Sequence, residues 1–256
     1  MYEKHYNIDY LAETLKLLSG VKEKSYAFFK NTPDGGTIVD LGCGSGQDVL
    51  NMSRMFNNDK LQFIGIDHDP EMIAAGNNAI QEETNVKFLV SNVLEIPLAD
   101  NSVDGVRMER LVQHLSDPLT LFKETQRILK DKGVIVIVES DWNSLSFYNG
   151  DSNTTANLNH YLTGKKVNNG KAAQSLSTYL MESGCSQISI EVFPFVLKRY
   201  EDACKYLWID KMIDEMHALD MIGADERNHF IESQRRADQS GYFSCSMNIV
   251  VVSAVK

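Results

Sequence analysis

The amino-acid sequence predicts an α/β fold, in which helices cover both faces of a mostly parallel sheet. Short runs rich in β-branched residues alternate with segments of helical periodicity, as in repeated βαβ units. One of these runs leads directly into a glycine-rich turn and then a helical segment. The chain of 256 residues is 43% hydrophobic and 23% charged, which is ordinary for a globular protein, and it contains no internal repeat or flexible linker. We therefore predict a single domain over residues 1–256.

The amino-terminal 33 residues are predicted to form a helical segment ahead of the sheet. Apolar residues recur at helical spacing before the breaker Pro33-Asp34-Gly35-Gly36 ends the pattern. The apolar residues of this segment are Leu11, Leu15, Leu18, Tyr26 and Phe29.

Five apolar runs after this segment are predicted to be the parallel strands. They are residues 37–41, 61–66, 86–90, 103–108 and 134–139. Asp69-Pro70 and Asp117-Pro118 each place a capping carboxylate before a proline, so a helix is expected to begin at each pair. Ligands of such sheets bind at the carboxyl ends of the strands, where the strand order reverses.

The second half of the chain is predicted to add covering elements and two strands. Residues 141–169 are rich in Asn, Ser, Thr and Gly, which predicts a mobile loop over the site. A helix at 171–182, a strand at 188–197, helices within 201–237 and a last strand at 247–255 should follow. We expect the insertions at about 141–170 and 201–240 to cover the substrate.

Charge and composition narrow the classes of partner. A net charge of -10 would repel a phosphate backbone, so nucleic acid is not expected as a partner. The longest apolar runs are too short to span a bilayer, and the amino terminus lacks the pattern of a signal peptide, so we expect a cytoplasmic protein without a membrane segment. The four cysteines are scattered, which disfavours a disulfide framework and a metal site.

The most informative motif is the glycine-rich turn within I-V-D-L-G-C-G-S-G-Q-D, residues 38–48. Glycines allow a backbone to approach a ligand closely, and the amides at the following helix start favour a negative group. A dinucleotide fingerprint would require its third glycine at position 47, which is Gln47 here. The spacing therefore argues against an NAD site.

The turn, with the pattern G-x-G-x-G after Asp40, resembles the first motif of the class I S-adenosylmethionine (SAM)-dependent methyltransferases. The resemblance extends strongly over residues 30–145. It implies a doubly wound, Rossmann-like sheet of seven strands, with an antiparallel last strand and SAM as cofactor. In that family the turn holds the methionine end of SAM, and by position Asp40, Gly42, Gly44 and Gly46 would contact the cofactor or shape the turn.

The next two strand ends supply the expected nucleoside contacts. Asp67, interpreted as an exposed carboxylate at a strand end, could accept two hydrogen bonds from a ribose diol. His68 would lie beside the adenine or face solvent. Asn92 and Val93 lie in a stretch that resembles the family's adenine-binding segment, where many relatives have Asp in place of Asn92.

The segment R-M-E-R-L-V-Q-H-L-S-D-P, residues 107–118, resembles a pattern of small-molecule methyltransferases. Glu109 and Arg110 could contact the methionyl group or the substrate, or form a surface ion pair. His114 is a candidate base, and helix packing is its alternative role. Asp141, with Trp142 beside it, could line the acceptor pocket, or the pair could be a buried Trp with a capping Asp. The candidate catalytic residues are His114, Asp141 and Glu109, with His160 as a further possible base.

Together these features predict a SAM-dependent methyltransferase that acts on a small molecule. The sulfonium donor is already activated, so the protein must mainly align the reactants and exclude water. The sequence contains neither D-P-P-Y nor N-P-P-Y nor a Pro-Cys step, which the methyltransferases that act on the adenine amino group or on cytosine in nucleic acids would carry. A non-catalytic module that binds SAM or S-adenosylhomocysteine (SAH) is an alternative, and an NAD-dependent oxidoreductase is a weaker one. The oligomeric state is not predicted.

Overall fold

A computed structural model describes residues 17–148 and 152–256. Within these residues, seven strands form one sheet with the order β3-β2-β1-β4-β5-β7-β6. The strands are β1 (Thr37–Leu41), β2 (Gln62–Asp67), β3 (Val86–Val90), β4 (Val103–Glu109), β5 (Leu129–Phe147), β6 (Ser186–Leu197) and β7 (Cys245–Val255). Strands β1 to β5 pair in parallel, and β7 is antiparallel to both of its neighbours. The predicted fold class is confirmed.

Along the chain, helices lie between most of the strands. They are α1 (Ser19–Ala27), α2 (Gln47–Phe56), α3 (Pro70–Ala79), α4 (Pro118–Ile128), α5 (Ser152–Tyr161), α6 (Ala172–Glu182), α7 (Tyr200–Leu207), α8 (Ile209–Ala218) and α9 (Ala224–Gln239). A 3₁₀ turn spans Val112–His114, and a π-helical turn spans Leu162–Lys166. Asp69 accepts the Glu71 amide hydrogen and Asp117 accepts that of Thr120, so both predicted helix starts are confirmed.

Each face of the sheet carries its own apolar core. Val136 and Val138 pack on one face in a cluster that includes Phe29, after α1, and Phe230 of α9. Ile135, Ile137 and the residues of α4 and α6 form the cluster on the opposite face. The predicted helical segment at 1–33 is described only from residue 17, so Leu11 and Leu15 lie outside the described residues.

The prediction of a loop over residues 141–169 is wrong. Strand β5 continues to Phe147, because β7 supplies partners for it at Asp141 (with Asn248) and again at Ser146 and Phe147. The Phe147 ring packs edge-on against Phe230, with centroids 5.2 Å apart. Helix α5 then begins at Ser152. The alternation of serines with Leu145 and Phe147 is the period of a strand, and polar composition alone concealed it.

Candidate cofactor and acceptor site

The glycine-rich turn between β1 and α2 requires glycine on two separate grounds. Gly42, Gly44 and Gly46 have φ angles of 69°, 53° and 73°, in the left-handed region that favours glycine. A Cβ atom on Gly46 would also lie 2.2 Å from Cε1 of Phe88, and one on Gly42 would lie 2.9 Å from Cδ1 of Leu111. The three glycines therefore shape the turn by backbone angle, and at Gly42 and Gly46 by close packing as well.

Asp67 lies against the glycine turn and is almost fully buried. Its exposed fraction is 6%, so the expectation of an exposed carboxylate is wrong. The reason is that Asp67 Oδ2 accepts a hydrogen bond from the Gly44 amide at 2.8 Å, and Oδ1 accepts one from the Asp69 amide at 2.9 Å. Two predicted cofactor contacts, Asp67 and Gly44, are thus hydrogen-bonded to each other. His68 is largely exposed, and its Nδ1 lies 3.3 Å from Asp67 Oδ1.

The turn after β3 lies beside Asp67. The Ser91 amide donates to the Asp67 carbonyl at 2.9 Å, which brings Asn92 and Val93 to this edge of the sheet. The Asn92 side chain is exposed, and its Oδ1 accepts the Leu94 amide at 3.0 Å, whereas Val93 is buried. The Asn92 amide nitrogen and the exposed face of the turn are thus available to a ligand ring.

A buried charged cluster lies under the glycine turn, centred on Arg107 of β4. Arg107 is fully buried, and its neighbour across the strand pair is Asp40 of β1. Arg107 donates to Asp40 Oδ1 at 3.0 Å, to Ser25 Oγ at 3.0 Å and to Glu109. Asp40 is therefore held beneath the turn by Arg107, in a position to shape it.

Helix α1 completes this cluster with Lys22 and Tyr26. Lys22 Nζ lies 2.6 Å from Glu109 Oε1 and 2.8 Å from Asp48 Oδ2, and it is itself buried. The Tyr26 hydroxyl donates to Asp48, and the Arg107 guanidinium lies 5.1 Å from the centre of the Tyr26 ring. Ion pairs thus tie α1 to the first turn of α2 and to the carboxyl end of β4.

Burial and the neighbouring charges shift the pKa values of the three carboxyls in different directions. Burial raises the pKa of Asp40 to about 7, against the effect of Arg107. Burial also disfavours ionisation of Asp48 and Glu109, but Arg107 and Lys22 outweigh it and hold both pKa values below the ordinary range. A carboxylate with a lowered pKa is a weak base, so Glu109 is better suited to fixing charge than to removing a proton.

A second polar network lies at the carboxyl ends of β4 and β5, where the acceptor was expected. Gln113 Oε1 accepts a hydrogen bond from Trp142 Nε1 at 2.6 Å, and Gln113 Nε2 lies 3.3 Å from His114 Nε2. Glu139 is fully buried, and its oxygens accept the Gln113 and Ser140 amides at 3.2 Å each. Burial raises the pKa of Glu139 to about 8.

Asp141 and His160 are the two remaining candidates from the sequence. Asp141 accepts a hydrogen bond from the Gln174 side chain, and its neighbour Trp142 is only partly buried. His160 is exposed on α5. The structure thus connects Glu109 with Arg110, and Arg110 with His114 through Gln113, whereas Asp141 is held by Gln174.

Sequence reasoning assigned no role to several residues that build these networks. They are Lys22, Asp48, Arg107, Gln113 and Glu139. One signal for Arg107 is visible in the sequence, because a charged residue interrupts the otherwise apolar run before Met108. Lys22 carries no such signal, since a lysine on a surface helix is usually solvated.

Across residues 17–148 and 152–256, no helix has both the length and the apolarity needed to cross a bilayer. No group of three or more His, Cys, Asp or Glu side chains there could hold a metal ion.

Sequence relatives place the central part of the chain in one family. Residues 39–137 match the model of a methyltransferase domain. An uncharacterised 37.1 kDa protein in a transposon of Streptomyces fradiae is 26% identical over 222 residues, which cover 86% of this chain and 62% of that protein. A demethylmenaquinone methyltransferase of Lactococcus lactis is 30% identical over 116 residues, covering 44% of this chain and 46% of the relative. The chain thus spans about half to two thirds of the length of these curated relatives.

Solved structures share the fold at low sequence identity. Geranyl diphosphate C-methyltransferase from Streptomyces coelicolor superposes with a TM-score of 0.58 at 18% identity, over 99% of this chain and 85% of that one. Phosphoethanolamine N-methyltransferase 2 of Haemonchus contortus gives 0.57 at 18% identity, over 93% of this chain and 52% of that one. The family model covers the glycine turn, β2 to β4 and the start of β5. Residues 39–137 therefore match a methyltransferase domain, which agrees with the resemblance that the glycine motif indicated.

Proposed function

We propose that this protein is a SAM-dependent methyltransferase with a small-molecule acceptor. The observation that carries the proposal is the hydrogen bond between the Gly44 amide and Asp67, which joins the glycine turn to the carboxylate at the end of β2. These two features come from separate segments of the sequence, and each was assigned independently to one part of SAM. Their contact supports a single site for a ligand with an amino-acid end and a ribose.

The residues at this edge fit such a ligand by their chemistry. The left-handed glycines leave three positions of the turn without side chains, and Asp67 provides the acceptor oxygens that a ribose diol requires. Asn92 and Val93 would hold the adenine edge, and Arg110, at the end of β4, would lie near the methionyl end. When bound, SAM supplies a methyl group on a positively charged sulfur that is activated for in-line transfer.

The remaining task of the protein is to align an acceptor and to exclude water. Helix α1 supports the cofactor side of the site, because Lys22 and Tyr26 tie it to Glu109 and Asp48. On the acceptor side, Trp142 offers an aromatic wall, with His114 and Asp141 as its polar neighbours. We place the acceptor there, with the insertions at about 141–170 and 201–240 as its cover.

A metabolite is the acceptor class that the chain favours. Its net charge of -10 disfavours a nucleic-acid partner. Relatives named for demethylmenaquinone and geranyl diphosphate, although only partly similar, bear names of small-molecule methyltransferases. We place the protein in the cytoplasm.

Calorimetric titration with SAM, SAH and NAD tests the cofactor assignment. We expect micromolar binding of SAM and SAH and no binding of NAD. Asp67→Asn should weaken SAM binding about 10- to 100-fold, as expected for the loss of charge-assisted hydrogen bonds.

Asp34→Asn is the matched control, because Asp34 precedes β1 at the opposite end of the sheet and pairs with Lys60 on the surface. It should bind SAM as the wild type does. NAD binding, or unchanged SAM affinity in a folded Asp67→Asn protein, would contradict the proposed site. SAM binding without methylation in a broad acceptor screen would instead favour a regulatory module.

A further inference from the structure

The contacts of the Gln113 side chain fix the orientation of its amide. Gln113 is buried, and its Oε1 lies 2.6 Å from Trp142 Nε1, which can only donate. Its Nε2 lies 3.4 Å from the Arg110 carbonyl oxygen, which can only accept. A flipped amide would turn a donor toward the indole and an oxygen toward the carbonyl, so both contacts select the same orientation.

This orientation determines which ring nitrogen of His114 accepts a hydrogen bond. Gln113 Nε2 carries two hydrogens, and it lies 3.3 Å from His114 Nε2. A proton on His114 Nε2 would oppose an amide hydrogen, whereas a lone pair there accepts it. The neutral imidazole therefore carries its proton on Nδ1.

The backbone around Gln113 is held from several sides, which keeps its side-chain amide in this position. The Gln113 backbone amide donates to Glu139 at 3.2 Å, and the Gln113 backbone carbonyl accepts the Asn169 amide at 2.9 Å. Asn168 Nδ2 donates to the His114 carbonyl at 3.1 Å. The 3₁₀ turn thus connects β5 with the segment that follows the π-helical turn.

We infer that Trp142 and Gln113 are positioning residues that hold His114 as the Nδ1–H tautomer. His114 then acts beside the acceptor as a hydrogen-bond donor and not as the base that takes the acceptor proton. Its Nε2 lone pair is engaged by Gln113, and protonation there would break that contact. The role beside the acceptor rests on the proposed function, but the tautomer rests only on the contacts described.

Nitrogen NMR of protein labelled with ¹⁵N-histidine tests the inference without any acceptor. Long-range ¹H–¹⁵N correlations distinguish protonated from unprotonated ring nitrogens, and comparison with His114→Gln assigns the His114 signals. In the wild type we expect a protonated Nδ1 and an unprotonated Nε2. Trp142→Phe removes the shorter of the two contacts that select the amide orientation and leaves only the 3.4 Å contact with the Arg110 carbonyl, so the fraction of His114 protonated on Nε2 should increase.

Gln113→Glu provides a second, opposite test. A carboxylate still accepts from Trp142, but its other oxygen can only accept, so Nε2 of His114 should become protonated. Trp208→Phe, at the other tryptophan of the chain, should leave the His114 signals unchanged.

A wild-type His114 protonated on Nε2, or a tautomer unaffected by both Trp142→Phe and Gln113→Glu, would overturn the inference. SAM titration of the same samples distinguishes failure of the tautomer inference from failure of the proposed function. A wild-type protein that does not bind SAM would refute the cofactor assignment and leave the tautomer result standing.

Discussion

Replacing the buried Glu139 by glutamine should shift the stability difference increasingly in favour of the variant as the pH rises. Burial raises the pKa of Glu139 from its ordinary value of 4.5 to about 8, so between these pH values the folded state holds a proton that the unfolded state has released. Stability contributed by such a group is fully present below pH 4.5 and is lost as the pH rises through 8. The loss amounts to at most about 1.4 kcal/mol per pH unit, or about 5 kcal/mol over the window.

Urea denaturation of the wild type and Glu139→Gln at pH 5, 6, 7 and 8 measures this effect. Glutamine is neutral at every pH, but its NH2 group would face one of the two backbone amides that the Glu139 oxygens accept, which adds a cost that does not change with pH. The stability of the variant relative to the wild type should therefore rise from pH 5 toward pH 8. Glu124→Gln is a control for the pH trend, because hydrogen bonds from Arg127 lower the pKa of Glu124. The difference in unfolding free energy between Glu124→Gln and the wild type should therefore stay constant over this pH range. A difference between wild type and Glu139→Gln that is constant from pH 5 to 8 would refute the reasoning.

Two further predictions concern the turn and the charged cluster. Gly46→Ala should lower the free energy of unfolding by about 2 to 4 kcal/mol, because of the left-handed backbone angle and the overlap with Phe88, as measured by thermal or urea unfolding. Gly20→Ala is the control, because Gly20 in α1 has open space around it, and it should be neutral or stabilising by up to about 1 kcal/mol. Arg107→Met should cost about 3 to 5 kcal/mol in the same measurement, because it leaves buried carboxylates without their partner. A loss below about 1 kcal/mol for Arg107→Met would mean that water reaches the cluster.

The fold was largely predictable because local signals agreed with one another. Alternating β-branched runs, two Asp-Pro helix starts and the glycine turn each indicated the same α/β arrangement, and each is present in the structure. The loop predicted at 141–147 is wrong because serine and asparagine also occur in strands that have a pairing partner. What makes that segment a strand is its pairing with β7 about a hundred residues later, and such long-range pairing leaves only a weak local trace.

The layout of the candidate site was predictable where a single segment carries its residues. Gly44 and Asp67 could be proposed as cofactor contacts from their positions after strands, but their mutual hydrogen bond required the fold. The contact between Lys22 and Glu109 joins residues 87 positions apart, and nothing in either local sequence indicates it. Sequence thus identified the groups aligned by strand order, and missed those that meet through tertiary packing.

The two polar networks meet at Arg110, and this explains why that residue has an unusual backbone. Arg110 has a φ of 49°, a left-handed angle that costs a non-glycine residue about 1 to 2 kcal/mol. Its amide donates to Val138 at 2.8 Å, its carbonyl accepts from Gln113, and its Nε lies 3.6 Å from Glu109 Oε1. These contacts offset the strain, since relaxing φ would displace the amide and the carbonyl together. The end of β4 is therefore fixed jointly, by the charged cluster around Arg107 on one side and by the polar network around Gln113 on the other.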